Sequence, residues 1–332
     1  MGDGKHYAHE EDQEDVQCID CHFSNEPLIT EASDLENESA IIATLRFGNI
    51  NDKNFLTTQK HGRALINTFV ENDTAYMMTK NGGDIFTLTA PAEVCAGNNA
   101  HSNLSCSSCH SAWASSCIGC HNSYDKEKLG YNMLDNKQKK GTWVEHKGTF
   151  SAKLPALGVR TSEDKKEIVP VNPGMILTLD IKSYTNSDKD SAIFRRLFSP
   201  IAPHTTSEKG RSCKSCHNNP VALGYGEGEL KYVVQENSGE WKFIPKFKND
   251  INDNLPEDAW TGFLQNRSGM VSTRKNVFPL NIDEQKKILT VGACLTCHEE
   301  NSDVINESLD NFNKLIKEHN QKCIFPVWTL IR

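Results

Sequence analysis

Leu104–His121, LSCSSCHSAWASSCIGCH, decides how this 332-residue chain is read. It holds two Cys-x-x-Cys-His pentads, Cys106/Cys109/His110 and Cys117/Cys120/His121, with only six residues between them. Three more lie outward from it: Cys18/Cys21/His22, Cys213/Cys216/His217 and Cys294/Cys297/His298. Ten of the twelve cysteines therefore stand in pairs of one spacing, and a histidine directly follows each pair. Two thiols three positions apart reach the two vinyl groups on one porphyrin edge. The next residue then falls under the iron, where its imidazole is the proximal ligand. The pattern predicts five covalently attached haem c groups. Zinc knuckles and disulfide frameworks also pair cysteines, but neither requires a histidine after every pair.

Composition narrows the class further. Hydrophobic residues are 37% and charged residues 24%, with a formal net charge of −8 and a mean hydropathy of −0.55. That apolar content is thin, yet too high for a disordered chain. No run approaches about 18 apolar residues, so no membrane span is expected. The acidic balance excludes a nucleic-acid surface, which needs a basic face. Each ferric haem with two ionised propionates adds about −1, taking the loaded chain to roughly −13, a field that favours basic partner surfaces. Thioether attachment takes place outside the cytoplasm, in keeping with so many cysteines. The expected location is periplasmic or extracellular. Met1–Asp15, MGDGKHYAHEEDQED, has no apolar h-region. An export signal is therefore expected to have been removed or to precede Met1, and further motifs upstream are compatible with that.

The expected fold class is α+β with extensive irregular chain, in which haems form much of the core, with β-rich spacers and a C-terminal helix. Two regions are expected: 1–125, with motifs one to three, and 126–332, with β-rich spacers, motifs four and five and the helix. Met175–Ile181 alternates as a half-buried strand. Tyr232/Val234 and Trp241/Phe243 flank a turn at Asn237-Ser238-Gly239. The polar stretches 161–167, 186–191 and 246–258 are expected as surface loops. Ser302 is placed to cap a helix with the stripe Ile305, Leu309, Phe312, Ile316 and His319. Seven residue steps from His110 to Cys117 span at most about 25 Å, so haems two and three are expected to be close neighbours.

Seven histidines remain for the sixth iron positions: His6, His9, His61, His101, His146, His204 and His319. His101 precedes Cys106 with four residues between, while His9 and His204 each precede a motif cysteine with eight residues between. His61, His146 and His319 carry no such offset. Arg195, Arg196, Lys209 and Arg211 are cations that could meet haem propionates, and Trp113 could lie on a porphyrin edge. Cys95 and Cys323, outside the motifs, are expected to be free thiols or bridged to each other. The leading function is electron transfer through mostly bis-histidine haems. The alternative is a haem reductase of nitrogen or sulfur oxyanions with one open iron. A metal-storage or zinc-scaffold protein is a third reading.

The stretch His101-x-x-Leu104-x-Cys106-x-x-Cys109-His110-x-x-Trp113, running into motif three, resembles a family of multihaem c-type cytochromes of respiratory and metal-reducing bacteria. Pro203–Thr206 through Cys213–His217 and on to Gly226 is similar to a second block of that family. Together they cover roughly 45 residues. The proline common after the tryptophan is replaced by Ala114-Ser115. The resemblance implies an electron-transfer protein of the periplasm or cell exterior with His101 and His204 as distal ligands. Its partners would be redox proteins, other cytochromes or a quinol-linked complex, with an oligomer or filament open to it.

Overall fold

The computed structural model describes residues 6–9, 13–23, 26–96, 99–162, 165–190, 192–202, 205–265, 270–272, 274–319 and 323–329. The chain forms two compact units, Met1–Ser102 and Asn103–Arg332. The expected boundary at 125/126 falls inside the strand Cys120–Asn132, and motifs two and three belong with motifs four and five.

In the first unit a 3₁₀ turn, Cys18–Asp20, precedes β1 (Ile29–Glu31), α1 (Asn37–Phe47), β2 (Asn54–Leu56), β3 (Thr68–Glu71), β4 (Thr74–Met78), β5 (Ile85–Thr87) and α2 (Glu93–Ala96). The strands form a five-stranded antiparallel meander in chain order. Asn72 and Asp73 turn β3 into β4, both at positive φ (48° and 60°), as a tight two-residue hairpin loop demands. Ala43, Ile50 and Phe55 make the core, and Phe47 meets Phe69 edge-on at 5.5 Å.

The second unit opens with α3 (Cys106–His110), β6 (Ala114–Cys117), β7 (Cys120–Asn132), β8 (Lys137–Lys147), β9 (Phe150–Lys153), β10 (Ala156–Thr161), β11 (Lys166–Asp180), α4 (Ile181–Thr185) and β12 (Ile193–Pro200). It continues with α5 (Cys213–His217), β13 (Gly228–Gln235), β14 (Ser238–Pro245), β15 (Met270–Ser272), β16 (Val277–Pro279), α6 (Ile282–Cys294) and α7 (Asp303–His319). A seven-stranded sheet runs β15-β12-β11-β10-β16, with β7 parallel to the far end of β11 and β8 paired to β7. The fold is α+β. Two cores flank the sheet, one around Leu223, Tyr225, Trp241 and Leu289, the other around Val171, Phe198 and Trp260.

Local expectations met varied outcomes. Met175–Asp180 of the expected strand lies within β11, which reaches back to Lys166, while Ile181 begins α4. The hairpin is β13–β14, but its loop is Glu236-Asn237, with Glu236 at φ 53°. The C-terminal helix is α7. Ser302 sits at its start, where its carbonyl accepts from Asn306 N–H (3.0 Å), yet its buried hydroxyl makes no hydrogen bond and does not cap. Non-helical Asn311 interrupts the apolar stripe, so Leu315 rather than Ile316 is the buried residue.

Residues 246–258 are irregular, but they are not simply a surface loop, because Leu255 and Asp258 are buried. The cause is Arg196, brought inward by the alternation of β12 beside Phe198 and wholly buried. Its Nε donates to Asp253 Oδ2 (2.7 Å) and its Nη2 to Asp253 Oδ1 (2.9 Å). The remaining guanidinium hydrogens go to the carbonyls of Leu255 (3.3 Å), Pro256 (2.9 Å), Glu257 (3.3 Å) and Ala259. Arg196 is thus committed to the fold and does not serve a haem propionate.

Asp258 sits nearby under different terms. Its Oδ2 accepts from Glu227 N–H (2.5 Å), while its buried Oδ1 makes no hydrogen bond. Burial pushes its carboxyl above the ordinary value of 3.8. An acid that ionises less readily folded than unfolded stabilises most at low pH, and its contribution falls as pH rises through the ordinary aspartate range to the raised value. Asp258→Asn is therefore expected to raise the urea midpoint at pH 7 and leave it unchanged near pH 3. Equal shifts at both pH values would contradict this.

Candidate functional site

Four of the five Cys-x-x-Cys-His pentads are built as one helical turn. In α3 and α5 the first cysteine and the histidine are i and i+4 neighbours on one helix face. Each turn starts on a serine: Ser105 Oγ accepts from Ser108 N–H (3.2 Å) and Ser212 Oγ from Ser215 N–H (3.3 Å). The shared Ser-Cys-x-Ser-Cys-His pattern carried that cap signal in the sequence. In motif one, His22 N–H donates to Cys18 O (2.8 Å). In motif five, at the end of α6, His298 N–H donates to Cys294 O (2.9 Å).

The two thiols of motif five do not share one environment, although the sequence offers Cys294 and Cys297 as an equivalent pair. Helix α6 ends at Cys294, which is half-buried, and Cys297 stands beyond that end, exposed. The chain turns there through Cys297 N–H donating to Cys294 O (3.1 Å), a tighter closure than the i, i+4 bond of His298. Cys297 Sγ lies 3.7 Å from Thr296 Oγ1, its neighbour on the exposed side of the turn. Cys297 is thus open to solvent, whereas Cys294 is half-buried.

Motif three differs. Cys117 ends β6, Gly119 takes φ +72°, and Cys120 and His121 begin β7. A β-carbon on Gly119 would be strained at that φ and would lie 3.4 Å from His121 Nε2. The β7–β8 register places His146 directly opposite His121. Directly paired residues point to one side of a sheet with β-carbons about 5 Å apart. Axial ligands must approach a porphyrin from opposite faces, so His146 is not the distal partner of His121.

Three motif imidazoles are fixed in the same way. His22 Nδ1–H donates to Thr89 O (2.8 Å), His110 Nδ1–H to Ser207 O (2.9 Å) and His217 Nδ1–H to Ile288 O (2.9 Å). A carbonyl can only accept, so Nδ1 carries the proton and Nε2 carries the lone pair. That is how proteins orient a metal-ligating histidine. His121 Nδ1 pairs with Thr178 Oγ1.

The motifs of the second unit are clasped to one another out of chain order. Residues 205–211, just ahead of motif four, run along motif two. Ser207 N–H donates to His110 O (2.7 Å), Arg211 N–H to Cys109 O (2.9 Å) and Ala112 N–H to Thr205 O (3.1 Å). Motif four then lies on the helix that ends in motif five. Asn218 Nδ2 donates to Gly292 O (3.2 Å) and Lys214 N–H to Glu300 Oε1 (2.9 Å). Motifs two and three, joined through the short strand β6, both meet β11. Motif two docks on it through Ser108 Oγ–H to Ile168 O (2.8 Å), and Cys120 and His121 pair with Leu177 and Thr178.

Half of the motif thiols are held protonated by their surroundings. Burial raises Cys21, Cys213 and Cys216, the last opposed by the Arg211 guanidinium. Burial also takes Cys294 to about 11, and a hydrogen bond with Glu145 takes Cys120 to about 11. Zinc requires thiolates, so this environment opposes it. Among the described residues no three His, Cys, Asp or Glu side chains are grouped to hold a metal ion. None of the twelve cysteines is disulfide-bonded; Cys95 is exposed in the first unit and Cys323 half-buried in the second.

Of the distal candidates, His6 is exposed and His9 half-buried. His101, half-buried at the end of the first unit, has its imidazole pKa lowered by burial. His61 bonds through Nδ1 to Asp15 (2.6 Å). His204 lies outside the described residues, as does the side chain of His319 at the end of α7. Arg195 and Lys209 are exposed. Arg211 gives Nη2–H to Pro155 O (2.6 Å), while its Nε and Nη1 are buried without hydrogen bonds. No helix among the described residues is long and apolar enough to cross a membrane. Set against protein-family models, curated proteins and solved structures, the chain matches none of them.

Proposed function

We propose that this chain is a multihaem electron carrier, with one haem c held at each Cys-x-x-Cys-His motif. The observation that carries the reading is the set of three motif imidazoles whose Nδ1–H donates to a main-chain carbonyl. This leaves Nε2 as the nitrogen that binds iron. The i, i+4 turn supports it by placing the thiols and the imidazole on one side of the same loop. Ile19 in motif one and Trp113 between motifs two and three are 41% and 48% exposed, apolar surface suited to a porphyrin face. When bound, the haem supplies one-electron iron chemistry in the ferric/ferrous couple.

The residues set its terms. Histidine on both iron faces favours low potentials, suited to an anaerobic respiratory chain outside the cytoplasm. The clasps order motifs two, four and five as a row with motif four in the middle. The acidic balance favours a basic redox partner, such as another cytochrome or a quinol-linked complex.

Intact mass tests the proposal. Chain matured with the haem-attachment machinery is expected to gain about 616 Da at each of the five motifs. Chain that carries zinc and no covalent haem would overturn it. Carbon monoxide added to the dithionite-reduced protein separates carrier from enzyme: no binding supports the carrier. Stoichiometric binding to one iron replaces it with the oxyanion reductase, which needs an open position.

A further inference from the structure

We propose that His61 is the sixth ligand of the iron at motif one and that Asp15 positions it, an assignment that rests on the haem reading above. Nothing in the sequence joins the loop 59–63 to Cys18–His22, but the first unit ties them at several points. Gln59 N–H donates to Asp20 Oδ1 (2.8 Å), and Asp20 Oδ2 accepts from Gln17 N–H (2.8 Å) at the start of the motif's turn. Lys60 Nζ donates to Glu14 O (3.1 Å). His61 Nδ1–H donates to Asp15 Oδ1 (2.6 Å), three residues before Cys18, and Arg63 Nη1 stands 3.1 Å from the other oxygen.

Asp15 is only 2% exposed, whereas the ring it holds is 46% exposed. A buried carboxylate is costly, and a surface ion pair alone returns little. A carboxylate on Nδ1 has a specific chemical effect. It fixes the tautomer, turns Nε2 outward and makes that nitrogen a stronger donor to a metal. His61 also lines an open cleft with Glu36, Ser39, Gly62, Arg63, Ala64 and Ile66, none of them a motif residue. The assignment therefore stands on the carboxylate–imidazole pair and on its attachment to the residues that flank the motif.

The test uses the full haem-loaded chain, with covalent haem counted by mass before any variant is read. Reduced His61→Ala is expected to bind one equivalent of carbon monoxide and show one high-spin haem, where the parent shows neither. In a four-haem chain carrying Cys18→Ser and Cys21→Ser, His61→Ala is expected to add no carbon monoxide site. His61→Met guards against a folding defect. It should stay six-coordinate with one potential shifted upward, because a thioether ligand raises it. Asp15→Asn should remain low-spin but shift the same potential upward, since the imidazole loses its anionic acceptor. Binding in both backgrounds assigns His61 to another motif, and binding in neither removes it as a ligand; both overturn the proposal. Five covalent haems with an unaltered His61→Ala spectrum sink this assignment alone, whereas absent haem sinks the reading beneath it.

Discussion

Arg196→Met is expected to lower the free energy of unfolding by about 3–5 kcal/mol, the largest effect of any single substitution outside the motifs. The wild-type guanidinium is wholly buried and satisfied by Asp253 and four carbonyls. Methionine fills much of the space but leaves Asp253, 6% exposed, as a buried charge without its partner. The cost is therefore mainly that of the stranded carboxylate and unpaired carbonyls, not of lost packing. Adding Asp253→Leu should recover a large part of the loss, because an apolar pair often replaces a buried ion pair without penalty. Guanidinium unfolding of the wild type and the two variants checks both statements. A single-variant loss below about 1 kcal/mol would show that the loop 246–258 is held by something else.

Gly292→Ala is expected to destabilise the second unit, for a steric reason. A β-carbon at this position would stand 2.6 Å from His217 O, 2.9 Å from Asn218 Oδ1 and 3.2 Å from Trp241 Cζ2. The first of these is backbone and cannot swing aside, so α6 and α5 must separate. Overpacking of this kind costs about 1–3 kcal/mol. Alanine's better helix propensity returns up to about 1 kcal/mol of that. Separation also lengthens the hydrogen bond from His217 Nδ1 to Ile288 O, so the low-spin spectrum of one haem should change along with the midpoint. Lys287→Ala, on the exposed side of α6, is the control and should be neutral. Equal behaviour of the two variants would remove the clasp between motifs four and five.

What the sequence disclosed and what it withheld divide along a physical line. The motif cysteines and histidines were legible because the repeated Cys-x-x-Cys-His spacing is local in the chain. The unequal burial of Cys294 and Cys297 was not, because it depends on where α6 ends. Nor were the partners that orient the histidines. Thr89, Ser207 and Ile288 act through main-chain carbonyls, and a carbonyl leaves no residue-type signature. That His146 stands beside His121 was hidden too, because it depends on the β7–β8 register. Arg196 was offered to haem propionates by residue type alone, although its place two residues before Phe198 on an alternating strand pointed inward. The short spacer between motifs two and three set only an upper bound on their distance.

The orienting carbonyls also lie far downstream of the histidines they hold: 67 residues for His22, 97 for His110 and 71 for His217. A histidine and its acceptor this far apart in the chain meet only when the fold closes. On the haem reading proposed above, attachment can precede that closure, while the thiols are unburied and the imidazole rotates freely. Tautomer and ring orientation are imposed only later, when the distant strand or helix arrives. Maturation would thus have two stages with different sensitivities. Covalent loading responds to the pentads alone, while the spectroscopic quality of each loaded iron responds to residues that loading never meets.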